Sequence, residues 1–324
     1  MTLWRASQGA WATLAAAGES GPIRAEIYEK DYWVTQVLRC LVANHHDAFV
    51  FKGGTSLSKA YRCIDRFSED IDILILNQGL SKGATDRLME EMAEGVLGQL
   101  GLTKDVSGST RSRGTNRNEL LVFARDEAVG SGLLQPTVQL EMGVRGSDFP
   151  LHTTRAIRPM IADRLTAAGI SVDEFEDLKA FDVPVLHPGR TLIEKVLLLH
   201  GRVSSKLLVG SDRKSSPSQI GRHYHDIQML LGLAEVQEWL EDREAFEAAV
   251  ADHRSISWAH FGIDVPPRPL GGFARSDAFR RDSEHISALQ DCYESAMREL
   301  YIGDDAFPSW LGVISLIESS AELL

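Results

Sequence analysis

Apolar residues Ile27, Val34, Val37, Leu38 and Leu41 recur near helical spacing and predict an amphipathic helix over residues 26–44. A short β-rich run follows, AFVFKGG at 48–54, ending in paired glycines. Residues 56–63 read as a helix, 71–76 (IDILIL) as a second strand, and 84–100 as a long helix. Residues 120–124 and 137–144 are candidate antiparallel strands, the latter with Val138, Leu140, Met142 and Val144 inward. A further short strand is expected at 183–186. From Thr191 onward the apolar period is helical, broken by the turn PPRPLGG at 266–272. The order is an α/β half followed by an all-α half. It places an α/β domain at 1–188 and a helical domain at 189–324.

Composition narrows the function classes. The chain has 324 residues, enough for about two domains at ~150 residues each. Its longest apolar run, 71–76, is far short of the ~18 residues a membrane span needs. The opening MTLWRASQGAW has no basic segment leading into an apolar stretch, so a cytoplasmic protein with no membrane partner is expected. Cys40, Cys63 and Cys292 are odd in number and lack CxxC spacing, which excludes a disulfide framework and a zinc knuckle. A net charge of -12 argues against a surface coated by nucleic acid, leaving a local basic groove or a bound divalent cation. Two stretches qualify. Residues 108–118 carry Arg111, Arg113 and Arg117 with no acid, and 201–222 carry Arg202, Lys206, Arg213, Lys214 and Arg222 against Asp212. Both are rich in Ser and Gly and read as mobile loops, either solvated surface or the rim of an RNA site.

The densest chemistry lies in FKGGTSLSKAYRCIDRFSEDIDILIL at 51–76. A strand ends at Gly53 and Gly54 and a helix opens at Thr55 and Ser56, a turn that lets phosphate approach the backbone. The strand period of two puts Asp70 and Asp72 on one face and Ile71, Ile73 and Ile75 on the other. Two adjacent carboxylates at ~4 Å repel by about 4 kcal/mol at an effective dielectric of ~20, so a cation is expected between them. Hard oxygen ligands with open positions suit Mg²⁺ bound together with nucleotide phosphates. A glycine phosphate turn followed by a DxD strand is the arrangement of nucleotidyltransferases. Glu141, on the polar face of 137–144, is the candidate third metal ligand, or simply an exposed strand acid. In HPGRTLIEKVLLLHGR, Thr191 and Glu194 have capping-box spacing. Lys195 follows inside an apolar helix and needs an anion, either a triphosphate or a structural acid such as Glu194. Asp226, in RHYHDI at 222–227, is a base, an orienting carboxylate or a helix-terminal acid.

EKDYWVTQVLRCL, FVFKGGTSLSKAYRCIDRFSEDIDILI, RTLIEKVLLLHGR, RHYHDIQML and the late LQDCYESAM together resemble the AbiEii/AbiGii toxin family, the group that contains the mycobacterial MenT toxins. The resemblance implies a polymerase-β-like nucleotidyltransferase domain, with the C-terminal helical domain contributing Lys195 and Asp226. It implies the toxin half of a toxin–antitoxin pair, using Mg²⁺ (or Mn²⁺) and a nucleoside triphosphate, with a cognate antitoxin as partner. Transfer to the 3′ end of tRNA would block translation and stop growth. Transfer to a protein hydroxyl, or non-catalytic nucleotide binding, is the alternative. Carried over by motif, Gly53, Gly54, Thr55 and Ser56 form the phosphate turn, with Ser68 facing the site. Asp70 and Asp72 hold metal, Lys195 meets the triphosphate, and Asp226 lies in the third motif. This chain has His223 where some relatives read the first Asp of RDxYDL.

Overall fold

A computed structural model describes residues 2–21, 23–76, 79–130, 134–144, 146, 152–204, 217–261 and 265–324. The chain divides into two compact units. The first holds the described residues up to 60, from 67 to 144 and from 152 to 185; the second holds 61–66, 146 and those from 186 onward.

In the first unit, α1 (Ala10–Glu19) and α2 (Ala25–His45) precede β1 (Phe49–Lys52) and the short α3 (Gly53–Ser56). Next come β2 (Ile71–Ile75), α4 (Lys82–Leu100), β3 (Thr103–Ser112), β4 (Asn116–Val122) and β5 (Thr137–Gly143). The unit closes with β6 (Thr153–Ile157), α5 (Met160–Ala167) and β7 (Phe181–Val185). The strands form one mixed sheet in the order β3-β4-β5-β2-β1-β7-β6. β1 runs antiparallel to β2 and parallel to β7, while β2 runs parallel to β5. The central β1 is apolar from Phe49 to Phe51 and β5 alternates, as their positions in the sheet demand.

Two elements differ from the sequence expectation. The helix over 26–44 forms as α2, but Glu29, Lys30 and Asp31 are buried with the apolar residues instead of facing water. Arg125 bonds Glu29 at 2.7 Å, Lys59 bonds Asp31 at 2.5 Å, and Lys30 pairs with Glu69. The basic stretch 108–118 is no mobile loop: it is the closed end of the β3–β4 hairpin, with Arg111 opposite Arg117. Arg117 is only 3% exposed and donates to Glu119 Oε1 at 2.9 Å, so it is a buried strand residue. Arg111 and Arg113 are exposed.

The second unit is helical: α6 (Pro188–Ser204), α7 (Pro217–Leu231), α8 (Ala234–Glu241), α9 (Arg243–Phe261), α10 (Ile286–Leu300) and α11 (Trp310–Ser319). Pro188 starts α6, where a fixed φ and a missing N–H are both tolerated. Thr191 and Glu194 therefore lie inside the helix and form no capping box; Glu194 accepts from Arg190 at 3.3 Å instead. Gly221 lets α7 cross α10 closely, since a Cβ there would strike the Cys292 backbone. Residues 61–66 belong to this unit although the chain places them between strands: Tyr61 donates to Leu186 O at 2.9 Å, and Ile302 N to Asp65 O at 3.0 Å. Lys206, Arg213 and Lys214 lie outside the described residues. Among those described, no helix is long and apolar enough to cross a membrane.

Candidate active site

The acidic edge of the first unit follows from strand register. Asp72 on β2 lies level with Glu141 on β5 and with Lys52 on β1, and Asp70 immediately precedes β2. Glu141 accepts from Gln139 Nε2 at 2.6 Å. Burial pushes the Glu141 carboxyl up to about 7, reinforced by the charges of Asp72 and Asp70 and a hydrogen bond with Asp72. The strands thus gather the three acids singled out in the sequence, close enough for their charges to couple. Among the described residues, no group of three or more His, Cys, Asp or Glu side chains is placed so that it could hold a metal ion. Carboxylate oxygens are the donor chemistry of hard cations.

The raised Glu141 carboxyl has a measurable consequence. Its folded pKa of about 7 lies above the ordinary 4.5, so the folded state keeps a proton that the unfolded chain releases. Stability therefore falls as pH rises between those values and stays lowered above them. In metal-free buffer, Glu141→Gln is expected to raise the melting temperature at pH 8 and leave it nearly unchanged at pH 4. Equal shifts at both pH values would contradict the coupling.

The turn beside these acids is held by its own hydroxyls. The Thr55 hydroxyl donates to Asp70 O at 2.5 Å and lies 2.9 Å from Ser68 Oγ, while Ser56 donates to Gly53 O at 2.9 Å. Both Thr55 and Ser56 are buried. After α3 the helix widens to a π-helical turn over Leu57–Tyr61, and its Lys59 reaches the buried Asp31, whose other oxygen accepts from Met160 N at 2.7 Å. Gly53 has φ +79°, and a Cβ there would collide with the Asp72 carboxylate. Gly53→Ala is expected to destabilise the protein by about 1–3 kcal/mol. Urea unfolding beside Gly54→Ala checks this, the larger loss belonging to Gly53.

In the second unit Lys195 and Asp226 meet directly, Nζ to Oδ2 at 2.7 Å. Arg66 grips the same carboxylate with two bonds, Nε to Oδ1 at 2.6 Å and Nη2 to Oδ2 at 2.7 Å. Arg66 and Asp226 are 1% and 0% exposed. Burial alone would raise the Asp226 carboxyl, but Arg66 and Lys195 together hold it well below the usual carboxylate range. Burial lowers the Lys195 ammonium, and the Asp226 carboxylate opposes that shift. Arg66 is the site residue that sequence reasoning missed. Its partner is 160 positions away, and no local period marks it.

The sequence model of the family described as "Nucleotidyl transferase AbiEii toxin, Type IV TA system" matches residues 36–312. The chain belongs to the AbiEii family. That match begins inside α2 and ends inside α11, so it takes in the glycine turn, the acidic edge and the Lys195–Asp226 pair of this AbiEii chain. No curated protein matches it in sequence. Among solved structures it is similar to MenT4, a nucleotidyltransferase toxin from Mycobacterium tuberculosis H37Rv, at 15% identity and a TM-score of 0.49. That likeness covers 97% of this chain and 98% of the other.

Proposed function

We propose that this AbiEii toxin transfers a nucleotide from a nucleoside triphosphate to an RNA acceptor, the 3′ end of tRNA, and so blocks translation. The observation that carries the reading is that Asp72 and Glu141 lie level on the neighbouring interior strands β2 and β5, with Asp70 just before β2 and their charges coupled. Three mutually repelling carboxylates on adjacent strands make sense around a cation. Asp70, Asp72 and Glu141 would hold Mg²⁺, or Mn²⁺, which supplies Lewis-acid charge for in-line displacement at the α-phosphate.

The remaining residues bind and orient. Gly53 and Gly54 let phosphate oxygens approach the backbone, while Thr55, Ser56 and Ser68 hold the shape of the turn. Lys195 is assigned to the β- and γ-phosphates as a point cation. Asp226 is doubly held and remains ionised, so its assigned role is to orient Lys195 and not to accept a proton. The acceptor 3′-hydroxyl forms its bond to the α-phosphorus as the bond to pyrophosphate breaks. The hydroxyl proton leaves with solvent or pyrophosphate. RNA is favoured as acceptor by Arg111 and Arg113, exposed at the end of the hairpin whose β4 pairs with the strand carrying Glu141.

The test is incubation of the protein and Mg²⁺ with each radiolabelled nucleoside triphosphate and total RNA. Label on RNA of tRNA size is the expected result. Label on protein would instead establish a protein-hydroxyl acceptor, and nucleotide binding without label anywhere would mark a non-catalytic partner protein. Growth arrest on expression, relieved by a cognate antitoxin, completes the reading.

A further inference from the structure

Arg222 is the group in the second unit that the assigned chemistry leaves unused. It lies on α7 one helical turn before Asp226, the i, i+4 spacing at which an arginine ordinarily reaches a carboxylate on the same face. Here that carboxylate is already taken. Arg66 bonds both its oxygens, and Lys195 shares Oδ2. Arg222 Nε is buried and has no hydrogen-bond partner among the described residues. His223, the next residue, has a buried Nδ1 that is likewise unpartnered. After Asp226, the charges that act most on Lys195 are Arg66 and Arg222, both cationic.

Arg66 and Lys195 thus bond the Asp226 carboxylate, and Arg222 adds a further positive charge that acts on Lys195. A guanidinium is a permanent cation with a planar fork of donors. Leaving a buried charge without a counterion is strongly unfavourable. An anion whose several oxygens accept from a guanidinium, an ammonium and an imidazole N–H matches these donors. Polyphosphate has that chemistry.

We infer that Arg222, Lys195 and His223 form a polyphosphate site, with Arg66 as the positioning residue that holds both oxygens of Asp226. The inference rests on the nucleotidyl-transfer reading for the ligand's identity, a triphosphate, and adds Arg222 and His223 to the residues that hold it.

Isothermal titration of the full chain with sodium tripolyphosphate in metal-free buffer tests it. One-to-one binding is expected. Arg222→Gln should weaken it about tenfold or more, the loss of one charge-assisted bond, and Arg222→Lys by less than that. Arg281→Gln, which removes an exposed arginine bonded to Glu318 at 2.7 Å, should bind as the unaltered chain does. Undiminished binding by Arg222→Gln, or equal weakening by Arg281→Gln, would overturn the site. If Arg222→Gln does not fold, phenylglyoxal modification of the unaltered chain decides. Tripolyphosphate should protect the Arg222 peptide, and no protection removes the inference. Should these arms succeed while the labelling assay shows no transfer, the enzymatic reading fails and the anion site stands. Transfer with null results at Arg222 removes only the anion site.

Discussion

Asp70→Ala and Asp72→Ala are each expected to abolish nucleotide transfer, by at least ~100-fold, and to relieve growth arrest. The physical basis is the acidic edge itself. Asp72 sits in register with Glu141, and the Glu141 carboxyl is pushed up to about 7 by burial and by the charges of Asp72 and Asp70. On the proposed reading, acids that couple this strongly would take a divalent cation and phosphate oxygens. Removing one acid removes a ligand and also relieves repulsion. Activity should therefore collapse while the melting temperature in metal-free buffer stays level or rises slightly. Added Mg²⁺ should stabilise the parent chain more than either variant. Single-turnover rates with labelled nucleotide, and thermal melts with and without EDTA, measure both quantities. An Asp70→Ala protein with full activity would sink the metal assignment.

Asp226→Ala is expected to give the largest loss of stability, about 3–5 kcal/mol, because it strands Arg66 and Lys195 in a buried cluster without their carboxylate. The pH dependence has a defined sign. Asp226 is held well below the usual carboxylate range, so its stabilisation is present above the unfolded carboxyl's ordinary value of 3.8 and is lost as pH falls below that. Denaturation curves of parent and variant should therefore separate at pH 7 and converge in acid. Lys195→Ala differs, since Arg66 still grips Asp226 with two bonds. It should lose less stability than Asp226→Ala and far more activity than its folding loss explains. Urea midpoints and specific activity on the same Lys195→Ala preparation separate the two roles. Full specific activity in the surviving folded protein would leave Lys195 a structural partner of Asp226 alone.

Local pattern carried the parts of the molecule whose information is local. The helix α2, the strands β1, β2, β5 and β7 and the placing of Asp70, Asp72 and Glu141 all follow from periods of 3.6 or 2 within a few residues. The turn at Gly53 was legible for the same reason: a glycine with φ +79° under the Asp72 carboxylate is a backbone requirement written at one position. The motif order likewise carried the AbiEii membership, which the match over residues 36–312 establishes. Tertiary structure alone decided where the charges went. In the sequence Arg117 looks like loop surface, because a buried arginine breaks the apolar alternation. Its neutralising Glu119 follows two residues later on the same strand face, and the hairpin buries both. Glu29, Lys30 and Asp31 look like a solvated helix face until Arg125, Glu69 and Lys59 are brought to them from other elements. Arg66 meets Asp226 across 160 positions of chain. Hydrophobic periodicity records which face is buried, but a charge can be buried wherever folding delivers its counterion, and that pairing has no period in the sequence.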